Sequence, residues 1–222
     1  MSRVPQPEGV RGSLKWIQRA VNHRPDLLDE GILARIPGAG SVEWISPLAS
    51  DSYAEYRDAD FLSVVGADAA APALASFWPR SGPQWDALGR TNRGDILLVE
   101  AKAHIGEMFS PPTGATGAAF QAIEAALYHT AQGVKAQPKA AWSKCFYQYA
   151  NRLAYLAFLR ENGHEAWLVL VSFLGDKDMG GPEHPETWQA AYSVMDHVLG
   201  LRARHGLSRW IIHAHPAVAD LT

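Results

Sequence analysis

Apolar residues in this chain recur with two different periods, and the switches between them mark out its elements. Residues 12–22 place Leu14, Ile17 and Val21 on one helical stripe, with Ser13 available as a cap. His23-Arg24-Pro25-Asp26 breaks the pattern, and residues 27–36 read as a short second helix stopped by Pro37-Gly38. Residues 42–45 are strand-like and end at Pro47. A helix capped by Ser50 or Asp51 is expected to run to about Val65, carrying Glu55, with Tyr53, Tyr56, Phe61 and Val64 as its apolar surface. Residues 66–72, rich in Ala, Gly and Pro, read as a loop, and residues 75–78 as either a strand or a helical turn.

The period then changes. Residues 84–90 and 95–102 are extended runs flanking Asn92-Arg93-Gly94, and a three-residue hairpin loop ends well on a glycine. Residues 96–99 are continuously apolar, as expected of a strand covered on both faces. Amphipathic helices follow at about 116–135 and 142–162, the second stopped by Asn162-Gly163. A buried strand at 166–174, a helix from Pro185 to about Arg204 and a short strand at 210–213 complete the chain. This order predicts an α/β sandwich forming one domain.

Composition narrows the class. Of the 222 residues, 47% are apolar and 19% charged, the balance of a globular protein, and no apolar run is long enough to cross a bilayer. The N-terminal stretch lacks the apolar core of a signal peptide and Cys145 is the only cysteine, so a cytoplasmic protein without membrane attachment is expected. The net charge of −3, with charges interspersed, argues against a chain that coats nucleic acid by bulk electrostatics, but not against an enzyme with a local basic cleft.

Candidate chemistry centres on the hairpin. Glu100 and Lys102, two apart on a strand, share one face. Counting outward from Asn92-Arg93-Gly94 sets Thr91 against Asp95, Arg90 against Ile96, Gly89 against Leu97 and Asp86 against Glu100. A G1 bulge would slip that count by one. Two carboxylates so placed repel unless a cation offsets them, and Mg²⁺ (or Mn²⁺) suits one or two protein carboxylates plus phosphate and water. Such residues fit metal-assisted phosphodiester hydrolysis, with Lys102 steadying the water or the developing charge.

The segment GPQWDALGRTNRGDILLVEAKAH resembles the core motif of the PD-(D/E)xK nuclease superfamily, which includes restriction endonucleases and RecB-like nucleases. Asp86 matches the first acid, Glu100 the second and Lys102 the lysine. The resemblance implies a restriction-endonuclease-like αβββαβ core at 50–175, a central mixed sheet flanked by helices, an N-terminal helical elaboration at 1–49 and a C-terminal helix and strand at 176–222. It implies a nuclease acting on nucleic acid, most simply DNA, with Asp86, Glu100 and the Ala101 carbonyl holding Mg²⁺ or Mn²⁺. Glu55 would complete the acidic cluster from the helix before the meander, and Gln148 would correspond to the glutamine that RecB-like members carry on the following helix. A homodimer is the arrangement expected of an enzyme that cuts both strands. Two positions depart from the pattern: Trp85 stands where the motif has proline, and Arg152 where RecB-like members have tyrosine.

Other residues have plainer readings beside their functional ones. Lys144, with Lys135, Lys139 and Arg152, is a candidate phosphate-facing rim, and a solvated charged face accounts for these residues equally well. His104 and Glu107 follow the motif and are candidates to approach the substrate. Trp142 and Phe146, four apart, read as core rather than as base-stacking residues. His213 and His215 share a strand face without an evident third metal ligand, so structural histidines are expected, and Cys145 reads as a buried thiol. Two alternatives to the nuclease stay open: a nuclease-fold protein that binds without cutting, and a hydrolase working through His213 and His215.

Overall fold

A computed structural model describes residues 2–222. In chain order the elements are β1 (Arg3–Val4), α1 (Gly12–His23), α2 (Asp26–Leu33), β2 (Val42–Ser46), β3 (Glu55–Tyr56), α3 (Asp58–Val64), α4 (Ala71–Phe77), β4 (Ala87–Thr91), β5 (Ile96–Lys102), α5 (Gly117–Gly133), α6 (Tyr147–Glu161), β6 (Ala166–Ser172), α7 (Pro185–Leu199) and β7 (Ile211–Ala214). Five strands form one mixed sheet in the order β2-β4-β5-β6-β7. The β2/β4 and β4/β5 pairs are antiparallel, and β5/β6 and β6/β7 are parallel. The parallel steps are bridged by α5 and α6, then by α7, as crossovers require.

The alternation along β5 explains the layering. Ile96 and Leu98 point into a core shared with α3 to α7, where Phe61, Leu127, Leu153, Tyr155 and Trp188 pack. Leu97, Val99 and Ala101 point the other way, onto Trp16, Ile17 and Val21 of α1 and Leu28 and Ile32 of α2. Every residue of β5 is buried, so Glu100 and Lys102 enter the larger core's side as charges that need partners. Burying each of Ile17, Leu28 and Ile32 contributes roughly 1.5–3 kcal/mol, which fixes α1 and α2 to the back of the sheet. Among the described residues no helix is long and apolar enough to cross a membrane.

The hairpin forms as its sequence requires. Thr91 N–H donates to Asp95 O (3.0 Å), Gly94 N–H donates to Thr91 O (2.8 Å), and Gly94 takes φ +88°, a left-handed conformation that glycine adopts without steric penalty. The pairs Arg90–Ile96, Gly89–Leu97, Leu88–Leu98 and Ala87–Val99 carry the counted register without a slip.

Several expectations need correction. Glu55 is not on a helix: residues 49–51 form a 3₁₀ turn, Ser52 and Tyr53 have positive φ, and Glu55 lies in β3, paired with β1 through Val4–Glu55 and Arg3–Tyr56. The partner strand lies about fifty residues away, and Arg3 also binds Asp51 (Nη2–Oδ1 2.6 Å), so local periodicity could not reveal the pairing. Residues 66–72, read as a loop, include a 3₁₀ turn at 68–70 and the start of α4, and α4 runs on to Phe77, which decides residues 75–78 as helix except for Trp78 at its end. Strand β2, within the stretch read as an N-terminal elaboration, is an integral edge of the sheet. Ser13 does not cap α1. Its backbone N–H instead donates to Glu107 Oε1 (3.2 Å). The helix ending at Leu199 stops short of Arg204 because Gly200, at φ +70°, sits against the backbone of Gln137, where a Cβ would collide.

Candidate functional site

The hairpin places Asp86 one step beyond the Ala87–Val99 pair, alongside Glu100. Its Oδ2 accepts the Ala101 N–H (2.7 Å), so the carboxylate continues the ladder where the β4 backbone leaves it. On a strand the N–H and C=O of one residue face the same edge, which turns the Ala101 carbonyl toward Asp86 as well. The next carbonyl, of Lys102, faces β6 and accepts from Phe173 N (2.8 Å).

Glu100 is engaged on both oxygens. Lys102 Nζ donates to Oε1, and Arg152 Nε donates to Oε2 (2.6 Å). Lys102 also donates to Gln148 Oε1 (3.1 Å). Arg152 is 2% exposed and is held at three further points: Nη1 to Asn151 Oδ1 (3.0 Å), Nη2 to Gln84 O (2.6 Å), and its guanidinium 4.6 Å from the ring centre of Trp85. Glu55 approaches from β3, and its Oε2 accepts from Gln6 Nε2 (3.1 Å) and Gln84 Nε2 (3.2 Å). Glu55, Asp86, Gln148 and Arg152 all line one open cleft of about 530 Å³, together with Gln6 and Tyr147.

Charge is distributed unevenly here. Burial pushes Glu100 upward, but Arg152 and Lys102 outweigh it and hold its carboxyl below the usual range. Burial would lower Lys102, yet Glu100 and Asp86 more than compensate, and the amine stays cationic. Neither Glu55 nor Asp86 is in an ion pair among the described residues. Burial, then the neighbouring Asp86 charge, raises Glu55 to about 8 despite Arg152. Enclosure by protein, then Glu100, raises Asp86 to about 7, against the pull of Lys102 and Arg152. Three carboxylates therefore share two cations, both of them bonded to Glu100, and full ionisation leaves one negative charge uncompensated.

Among the described residues no three His, Cys, Asp or Glu side chains converge as a ready-made metal cage. The donor set that could serve an ion is Asp86 Oδ1, which accepts no hydrogen bond from a described residue, the Ala101 carbonyl and Glu55. All are oxygens, which suits a hard cation such as Mg²⁺ or Mn²⁺. Glu100 can join only by giving up Lys102 or Arg152, so of the expected ligands it fits least directly.

Not every candidate converges. Lys144 is exposed and lies outside the cleft lining, and His104 sits on the turn after β5 with Nε2 3.7 Å from Glu107 Oε1. Glu107 is committed to backbone, its Oε2 accepting from Ala103 N (2.6 Å). The His213 and His215 rings stack at 6.4 Å, with Tyr192 edge-on to His213, and no third ligand joins them among the described residues. Cys145 is a half-buried free thiol. Trp142 is core, its Nε1 bonded to Leu199 O (2.9 Å), but Phe146 is only half-buried. Arg152, read as a departure and a rim residue, is instead the second countercharge of Glu100. A basic residue inside a run of buried helical positions from Tyr149 to Leu159 is the signal that could have found it, because such a charge requires a carboxylate. Gln6 and Gln84 carried no comparable signal.

Compared with models of known protein families, with curated proteins and with solved structures, the chain matches none.

Proposed function

We propose that the protein is a nuclease of the restriction-endonuclease-like PD-(D/E)xK type, hydrolysing phosphodiester bonds in DNA with Mg²⁺ or Mn²⁺. The observation that carries this reading is the hairpin register, which sets Asp86, in the lining of an open cleft, beside the buried Glu100 and Lys102. The order of α1, the β2-β4-β5 meander, the α5–α6 connection and β6 supports the αβββαβ core of that fold. A divalent ion held by Asp86, the Ala101 carbonyl and Glu55 would neutralise phosphate charge and lower the pKa of a bound water. Lys102, fixed by Glu100 and Gln148, supplies a positive charge where negative charge grows during phosphoryl transfer. Its raised pKa makes it an electrostatic partner rather than the proton acceptor. Glu100 and Arg152 act through Lys102 and the cleft wall, holding both cations in register.

The test is cleavage of labelled DNA in Mg²⁺ and in Mn²⁺ by wild type and by Lys102→Ala, with folding checked by circular dichroism. Cleavage lost in the variant supports the assignment, and equal cleavage refutes it. One observation favours a second reading, a nuclease-fold protein that binds without cutting: both oxygens of Glu100 are closed by protein cations. DNA binding by the wild type with no cleavage in either metal would select it.

A further inference from the structure

Phe109 is 70% exposed, yet it does not stand alone. Its ring lies 5.5 Å from that of Phe146 at a 41° tilt, and Phe146 packs inward against the main core. The two rings form a supported aromatic surface with an open outer face, unlike a singly exposed apolar residue, which would need no explanation. Phe146 is held there with φ +50° and ψ +38°, a left-handed conformation that is strained for a non-glycine residue and recurs at ligand-binding sites. Each ring directly precedes a residue of the cleft wall: Ser110 follows Phe109, and Tyr147 and Gln148 follow Phe146. The two segments are locked together by Gln148 N–H donating to Ser110 Oγ (2.9 Å) and Thr113 N–H donating to Ser143 O (2.9 Å). Gln148 in turn holds Lys102, so the aromatic surface is rigidly linked to the charge at the site.

We infer that Phe109 and Phe146 form a stacking platform for an unpaired nucleobase next to the scissile phosphate, so that the substrate is a single strand or a frayed end rather than a continuous duplex. This rests on the nuclease reading and specifies its substrate. A paired base inside a duplex has both faces covered and cannot present one to the platform. Aromatic stacking accepts any base, and it suits a cleft whose lining, among the described residues, carries no cation besides Arg152, in a chain of net charge −3. Away from the ion and Lys102 such a wall offers phosphate little neutralisation, so added affinity comes from the base face.

The test is fluorescence anisotropy of a labelled single strand, of the same strand with abasic positions, and of the matching duplex. Ca²⁺ replaces Mg²⁺, and the proteins are wild type, Phe109→Ala and Phe109→Trp. The exposure of Phe109 makes both variants foldable, and matched melting curves verify this. We expect Phe109→Ala to bind the intact single strand about tenfold more weakly. Its binding to the abasic strand should be unchanged, and Phe109→Trp should restore affinity. Equal single-strand affinity in wild type and Phe109→Ala, or wild-type preference for the duplex, overturns the platform while leaving the nuclease reading standing. A dimer dissociated by Phe109→Ala without any change in strand affinity assigns the pair to a contact between copies and likewise overturns it. No binding of any strand by wild type removes the nucleic-acid reading itself.

Discussion

Replacing Glu55 by Gln should stabilise the metal-free protein at alkaline pH and leave it unchanged at acid pH. Glu55 is 8% exposed and its carboxyl is raised to about 8, by burial first and by Asp86 second. A carboxyl whose folded pKa exceeds its unfolded value holds its proton more tightly when folded. Its contribution to stability is therefore complete below about pH 4.5 and is lost as pH rises through about 8. At about 1.4 kcal/mol per unit, the loss amounts to a few kcal/mol by pH 9. Glutamine keeps the shape and an acceptor for Gln6 and Gln84 but carries no charge. Near pH 5, where wild-type Glu55 is protonated, the two proteins should melt together. At pH 9 in EDTA the variant should melt higher by roughly 5–10 °C for a domain of this size. Thermal melts followed by circular dichroism at the two pH values decide the matter. An equal difference at both, or a lower melting temperature for the variant at pH 9, would refute the claim that Glu55 is a buried carboxylate awaiting a cation. Addition of Mg²⁺ should then reverse the order, because only the wild type gains stability from the ion.

The same groups set the pH dependence of cleavage. In the metal-free protein Asp86 and Glu55, raised to about 7 and about 8, hold protons in more acid solution and must lose them to take up the ion, so kcat/KM at subsaturating Mg²⁺ should rise through this range, and saturating Mg²⁺ should move the rise to lower pH. Glu55→Gln, which lacks a ligand of the ion, should cleave little at any pH in this range. Replacing Arg152 by Met leaves Glu100 with Lys102 alone in a buried place and should destabilise the protein by about 3–5 kcal/mol, read by urea denaturation. Arg152→Lys should recover only part of that loss, since a lysine cannot bond Glu100, Asn151 and the Gln84 carbonyl together.

Local pattern carried the centre of the site. Period-two alternation, an unbroken apolar run and a glycine at the end of a three-residue turn fix the β4–β5 register, and that register brings Asp86 to Glu100 and Lys102. What the pattern missed depends on distant partners. Glu55 reaches the cleft on a strand that exists because Arg3 and Val4 pair with it, and no window around residue 55 contains them. Residues 142–146 lie outside the helix they seem to begin, because Trp142 is drawn into the core and bonds Leu199, while Phe146 turns left-handed before α6 starts. Arg152 occupies a helical position where apolar periodicity expects core, and its burial is legible only once Glu100 is known to lie opposite. The end of α7 at Leu199 is set by contact of Gly200 with Gln137, a tertiary constraint that overrides a pattern able to continue to Arg204.

The cation site is the centre of this account, and isothermal calorimetry with Mg²⁺ and Mn²⁺ at pH 8.5 tests it most directly. Wild type should bind an ion saturably, and Asp86→Asn should bind none while keeping its fold. Absence of saturable binding in the wild type, or the same isotherm from Asp86→Asn, would contradict it.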